Sequence, residues 1–399
     1  MPANHALTPL GHLAEPNPFG STGDLRLLPD ASTRSTVETG PGASPLDVVL
    51  CDIVETDGRP WSCCPRTFLR EALTDIETTL GARVSTSFEH EFQLLLDEPP
   101  ALPFSLEAQR RGEPFATRVM NALSDAGVEP ERFFAEYAAH QFEIPAAPAE
   151  GMLGADRSVI LREVVRDVAR SMGMRASFVP LLDPAEAGNG VHIHLNLLDA
   201  GGQSLLYDAD RPARLSELGG RFAAGILRHA AALSALTAGS PISGARLRPH
   251  RWSAGSVSLA AQNREVLLRI PPLVELGGGD PRRQLRLEYR GADASANPHL
   301  ALGAILRAGL AGVRDDLPAP AILDRDPAEL SGADAERFGV GALPETLAGS
   351  LQALAADELV RGWLGPLLYD AYVAVKTAEL DGTREEDLQG TCRRYAAIY

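Results

Sequence analysis

The sequence predicts a mixed α/β fold in which strands are separated by long helices and an open or barrel-like sheet carries the functional side chains. Three observations predict it. From Pro65 onward, segments with helical period take turns with segments that alternate in polarity. Residue types that hold metals and anions cluster in the alternating segments. Residues 1–45 are rich in Pro, Gly, Ser and Thr and have little period, so they read as a small, partly irregular N-terminal unit without internal repeats.

Within that unit, Leu25 and Leu27, and the run Val48–Ile53, read as short strands. Phe68, Leu69, Ala72, Leu73, Ile76 and Leu80 then keep helical spacing, and Gly81 is a natural stop. Residues 83–96 alternate. Phe88, Phe92, Leu94 and Leu96 point one way and Glu89, Glu91 and Gln93 the other, so the two carboxylates share a face. Asp156 is positioned to cap a helix with apolar positions at Ile160, Val164, Val165, Val168 and Met172, ended by Gly173. Strands are expected at 174–179 and 191–198, the second with His192, His194 and Asn196 on one face. Helical patterns cover 213–237, 299–314, 345–357 and 366–379, with strands near 256–260, 265–270 and 284–290.

The 399 residues suffice for one large domain plus a small one, and 45% are apolar, enough for a sizeable core. A net charge of −16 opposes nonspecific nucleic-acid binding, which needs a basic surface. Cys51, Cys63, Cys64 and Cys392 form no CxxC or zinc spacing and read as reduced thiols. The N-terminus has no basic-then-apolar signal pattern, and no apolar run approaches the ~20 residues that span a bilayer. A cytoplasmic protein is expected, with no membrane or nucleic-acid partner.

Glu89, Glu91, Glu136, Glu143 and Glu288, with His192, are enough for two three-ligand divalent sites that keep positions open for water or phosphate. Paired glutamates on a strand are most often a solvated face. Here Phe88 and Phe92 bury the opposite face, and a His-x-His strand recurs later. His192-Ile193-His194 alone also fits a zinc hydrolase of the barrel amidohydrolase kind. That reading needs further histidines and an aspartate on later strands, and only His229, His250 and His299 remain downstream. Arg246, Arg264, Arg269, Arg283, Arg286 and Arg290 end beside Glu288, and forked guanidinium donors suit phosphate and carboxylate oxygens.

The chain resembles the glutamine synthetase family, in the branch of the bacterial type I enzymes and γ-glutamyl–amine or polyamine ligases. The motifs run in the family's order: Glu89–Phe92; Glu136 with Gln141 and Glu143-Ile144; Gly188 to His194; Asn263-Arg264 with Arg269-Ile270-Pro271; and Glu288, Arg290 and Ala296-Asn297-Pro298. Leu28–Thr33 also matches. The resemblance implies an α+β chain. A small, truncated, ubiquitin-like (β-grasp) unit would occupy residues 1–62, and a large catalytic α/β domain with a mainly antiparallel curved sheet would occupy 63–399. It implies two Mg²⁺ or Mn²⁺ ions per site. Glu91, Glu136 and Glu143 would hold one on the acceptor side, and Glu89, His192 and Glu288 the one that bridges ATP phosphates. Arg246 and Arg290, with Gly188 and Arg264, would bind L-glutamate. Arg264, Arg269 and Arg286, with Arg283, His194 and Asn196, would serve the phosphoryl group and ATP. The family makes γ-glutamyl phosphate and displaces phosphate with an amine, a reaction run by positioning and charge neutralisation. It also implies a homo-oligomer, a double hexameric ring.

Departures from the pattern bear on the amine. The family's Asp-Gly-Ser-Ser loop has Phe19–Asp24 as its nearest counterpart, and the chain starts later than the usual N-terminal strands. Trp252 stands where the flap carries a catalytic glutamate. Ala187 replaces the usual Asn before Gly-x-Gly, and Leu181 the Lys after Phe-x-Pro. An ammonium pocket needs negative charge, and losing the loop aspartate and the flap glutamate removes much of it. A tryptophan offers an apolar wall or a cation–π face. The expected acceptor is therefore an organic amine such as a polyamine, alkylamine or amino alcohol, with ammonia as the alternative and a silent paralogue as the second. No tyrosine occurs at 326–333, so adenylylation control is not expected.

Overall fold

The computed structural model describes residues 6–20, 23–40, 44–251 and 253–399. The N-terminal segment makes two small antiparallel pairs, β1 (Leu25–Pro29) with β4 (Cys51–Glu55), and β2 (Ser35–Val37) with β3 (Leu46–Val48). Helix α1 (Pro65–Leu80) begins with Pro at its first position and ends at Gly81, whose φ of 61° is the left-handed cap expected there.

A large mixed sheet follows, with β5 (Arg83–Leu94) near its middle. Helices α2 (Leu106–Arg111) and α3 (Phe115–Asp125) come next, then the short β6 (Phe134–Ala135), β7 (Gln141–Pro145) and β8 (Ala149–Glu150). Helix α4 (Leu153–Ser171) leads to β9 (Ala176–Ser177) and β10 (Val191–Leu198). Helices α5 (Glu217–Arg228), α6 (Ala230–Thr237) and α7 (Ser243–Arg246) precede β11 (Ser256–Ala261) and β12 (Val266–Ile270). The short α8 (Pro281–Gln284) precedes β13 (Leu287–Tyr289), and α9 (Pro298–Arg314) precedes β14 (Ile322–Leu323). Four helices close the chain: α10 (Gly332–Phe338), α11 (Leu347–Ala356), α12 (Glu358–Thr383) and α13 (Leu388–Ala396).

Among the described residues the sheet runs β14-β11-β12-β13-β10-β5-β7-β6, with β8 and β9 also on β5. Its centre is antiparallel, and only the β11 pairings with β12 and β14 are parallel. The path does not close on itself, so the sheet is open. No helix is long and apolar enough to cross a membrane, among the described residues.

One face of β5 is apolar and makes the core. Phe92 packs 5.3 Å from Phe178, 6.1 Å from Phe115, 6.4 Å from Phe133 and 6.2 Å from Phe142, ring centre to ring centre. Each such ring stabilises the fold by about 1.5–3 kcal/mol through burial. The other face is therefore free to carry charge.

Several elements differ from the sequence expectation. Asp156 does not cap α4, which starts earlier, at Leu153. Asp156 lies buried in the first turn, where Arg66 donates to it through Nε at 3.1 Å and Nη2 at 2.9 Å and His299 Nε2 lies 2.7 Å away. Arg66 also reaches Asp30 and Asp52, so this cluster ties the N-terminal segment to α1, α4 and α9. A buried partner outbids a capping role. The expected helix over 213–237 is two helices, α5 and α6, broken at His229. The strand expected at 174–179 shrinks to β9, and residue 284 ends a helical turn instead of opening a strand.

Candidate active site

Strand register builds the site. In an antiparallel pair, residues directly opposite each other share a face. Glu91 lies opposite Glu143, Glu89 opposite His192, His194 opposite Glu288, and Glu288 opposite Arg269. Five neighbouring strands thus project one continuous row of carboxylates, imidazoles and a guanidinium from the face away from the aromatic core.

The contacts within that row are short. His192 Nδ1 is 3.3 Å from Glu89 Oε2 and 3.9 Å from Glu288 Oε1. His194 Nε2 is 3.0 Å from Glu89 Oε1, though not aligned as a hydrogen bond, and its Nδ1 accepts from Arg286 Nε at 3.1 Å. Arg269 donates to Glu288 Oε2 at 2.8 Å, and Arg290 donates to Glu288 Oε1. Two sets of ligand atoms lie within 4.8 Å of one another: Glu89–Glu143–His192, and Glu89–His194–Glu288. Glu91 and Glu136 stand outside both sets, and Glu91 Oε2 accepts from Gly190 N at 2.7 Å.

Charge divides the carboxylates. Burial alone would raise the Glu89 carboxyl, but the His194 and His192 rings outweigh it and hold the group well below the usual range. Burial opposes ionisation of Glu288 too, yet Arg290, both histidines and Arg269 bring it down to about 2. Glu136 is pushed up to about 7 by burial and by the charge of Glu91. Burial, then Glu89, Glu91 and Glu136, push Glu143 well above the ordinary carboxylate range. A group of acids that raise one another in this way is a site for a proton or a divalent cation, and its oxygen-rich donors suit a hard ion.

Loops complete the wall. Gly188 and Gly190 let the backbone pass close to Arg246. A Cβ at Gly188 would collide with the Pro180 carbonyl and sit 2.7 Å from Arg246 Cγ, and one at Gly190 would sit 3.0 Å from Arg246 Nη1. Gln141 braces this loop, donating to Gly188 O at 2.9 Å and Asn189 Oδ1 at 2.9 Å. Arg246 is buried, donates to Ala292 O at 2.8 Å, and keeps a buried Nε without a partner among the described residues. Arg290 Nε donates to Arg264 O at 3.0 Å.

These residues line a central cavity of about 570 Å³. It brings together Glu89, Glu91, Glu136, Glu143 and His192 with Gly188, Arg246 and Arg290. Arg264, Arg269, Arg286 and His194 line it as well. Asn196 and Arg283 instead line a second cavity of about 370 Å³, which shares His194 and Arg286 with the first. Glu288 is in neither lining and is 1% exposed. Trp252 lies outside the described residues. A recess of about 360 Å³ adjoins the central cavity at Tyr137, Ala187 and Arg251 and also touches Glu186 and His250.

Sequence reading missed four residues here. Phe104 and Tyr137, with rings 6.3 Å apart, form an exposed lip on the central cavity. Arg251 donates to the carbonyls of Glu186 and Pro184 and shapes the recess. Arg132 stands beside Glu89 and Glu143. Only Arg132 left a usable signal, a cation four residues before Glu136.

A model of the glutamine synthetase catalytic domain matches residues 62–395, and one of the glutamine synthetase N-terminal domain matches residues 1–61. The chain belongs to the glutamine synthetase family. It is an ATP-dependent glutamate–amine ligase of that family, whose members use divalent metal ions. Gamma-glutamylpolyamine synthetase GlnA3 of Streptomyces coelicolor is 34% identical over 386 residues, covering 94% of this chain and 81% of the relative. Glutamine synthetase of Thermus thermophilus is 30% identical over 389 residues, covering 94% and 85%. A crystal structure described as a novel glutamine synthase homolog superposes with a TM-score of 0.92 at 45% identity, over 100% of this chain and 90% of that one. The family match also accords with the α+β architecture, an N-terminal domain followed by a catalytic domain.

Proposed function

We propose that this ligase phosphorylates the γ-carboxylate of L-glutamate and condenses it with an organic amine, giving a γ-glutamylamide. The register-locked row of Glu143, Glu91, Glu89, His192, His194 and Glu288, with the buried Arg246 and Arg290 on the wall of the same cavity, is the observation that supports it most.

In this reading Mg²⁺ or Mn²⁺, two per site, would be held by Glu91, Glu136 and Glu143 on the acceptor side and by Glu89, His192 and Glu288 on the nucleotide side, with His194 in reach. The ions would neutralise charge that builds on the phosphates during transfer. Arg246 and Arg290, with Gly188 and Arg264, hold glutamate. Arg246 brings a buried, under-bonded guanidinium, which favours a carboxylate ligand. Arg264, Arg269 and Arg286 take the phosphoryl group. Asn196, Arg283 and His194 line the second cavity, which suits the nucleotide. A γ-carboxylate oxygen attacks the terminal phosphorus and ADP leaves. The amine nitrogen then attacks the acyl carbon, phosphate departs and one proton is released. The same reading sets a domain boundary at 62/63 and a homo-oligomer, the double hexameric ring. Leu102 and Leu106, 79% and 71% exposed near the Phe104 lip, favour a neighbouring subunit there.

The amine assignment rests on the recess. Tyr137, which carries the Phe104 ring beside it on the central cavity, lines this recess together with Glu186, and an aromatic face next to a carboxylate suits a carbon-bearing cation better than ammonium alone. The 34% identity to a γ-glutamylpolyamine synthetase, against 30% to a glutamine synthetase, points the same way. The test is phosphate release with ATP, Mg²⁺, L-glutamate and a panel of amines including ammonia, with products checked by mass. Turnover with an organic amine and little with ammonia is expected. Preference for ammonia would make the protein a glutamine synthetase, and no turnover with any amine would refute the ligase reading for this chain.

A further inference from the structure

We infer that Arg132 is a phosphate-binding residue, set across from Arg286 at the passage between the central and second cavities. The inference rests on the reading that the second cavity takes the nucleotide.

Four residues line both cavities: Glu89, His194, Arg286 and Arg132. They define the passage through which a polyphosphate would extend from one to the other. Glu89 and His194 are its floor. Arg286 is fixed on one side, with Nε on His194 Nδ1 at 3.1 Å and Nη1 on Gln284 O at 3.2 Å. Arg132 reaches in from the β6–β7 side. Its backbone is pinned next door, where Glu131 N donates to Pro145 O at 2.9 Å. Its guanidinium lies over the Phe134 ring at 5.2 Å, which sets its plane.

Arg132 has little to hold it otherwise. Its nearest carboxylate oxygens, on Glu89 and Glu143, are each 3.8 Å away, too far for hydrogen bonds. The side chain is 55% exposed, and none of its donors meets an acceptor among the described residues. Both carboxylates belong to the candidate metal groups. A cation bound there would take their charge and leave the Arg132 guanidinium, which lines both cavities, free to meet an anion. A tri- or diphosphate is the anion that fits two guanidinium forks lining the same pair of cavities.

The competing role is a counter-ion for the acids alone, and the two roles separate by measurement. Binding of a non-hydrolysable ATP analogue, ADP and AMP is titrated calorimetrically with Mg²⁺ for wild type, Arg132→Ala and Arg132→Lys. Mn²⁺ alone is titrated by electron paramagnetic resonance. Arg132→Ala is expected to weaken the ATP analogue about tenfold, leave AMP within about twofold, and bind Mn²⁺ no more weakly than wild type. Arg132→Lys, which keeps the charge but loses the fork, should fall between. Analogue affinity within about twofold of wild type, with tighter Mn²⁺ binding, would overturn the inference and leave Arg132 a counter-ion. A wild-type chain that binds no analogue would overturn this inference together with the ligase reading.

Discussion

Glu89 belongs to both candidate metal groups, one oxygen near His192 and the other near His194. The proposed assignment gives it to the nucleotide-side ion, with His192 and Glu288. Glu89→Gln keeps the shape and removes the charge, so it is expected to weaken Mn²⁺ at the nucleotide-side site by about tenfold or more, whereas Glu143→Gln should weaken the acceptor-side site. A Mn²⁺ titration that finds both sites intact in Glu89→Gln would contradict that placement. The face that Glu89 occupies was legible in the sequence, because alternation along 83–96 is a local property. Which side chains stand opposite it was not, since His192 comes about a hundred residues later and register is settled by long-range packing. Phe104 and Tyr137 were illegible for a different reason. Exposed aromatics in loops have no period to betray them.

At the element scale, β5 seats against α4 through His90. The ring lies between Phe88 and Phe178 and meets Ser158 Oγ at 2.8 Å through Nε2. Burial, then the charges of Arg162 and Arg166, hold this histidine well below its ordinary value of 6.5. It stays neutral in the fold and charges readily in the unfolded chain. Its contribution to stability is therefore complete above about pH 6.5 and is lost as pH falls below that, by at most about 1.4 kcal/mol per pH unit. Unfolding midpoints in urea, taken from about pH 8 down to about pH 5, should fall more steeply for wild type than for His90→Asn. Equal slopes would exclude His90 as a source of acid sensitivity. The main helices around this interface could be read from the chain because their apolar spacing is strong. The misplaced start of α4 shows the limit of such reading: an aspartate ahead of an apolar run looks like a cap until the buried Arg66 and His299 that claim it are known.

The whole molecule carries a net charge of −16, while its central cavity is lined by arginines. The field beyond the surface therefore repels glutamate and ATP and draws in cationic amines, and the arginines act only at short range. Raising ionic strength from about 20 mM to about 300 mM should increase KM several-fold for a polyamine and less for a monoamine. An unchanged KM for every amine would mean that the field plays no part in capture. The three joined spaces have a kinetic meaning as well. If nucleotide, amino acid and amine each reach the centre through a separate mouth, none of them obstructs the next. Such an enzyme has no obligatory queue: it assembles its reactants in whatever sequence their concentrations dictate, and scarcity of one does not lock the others out.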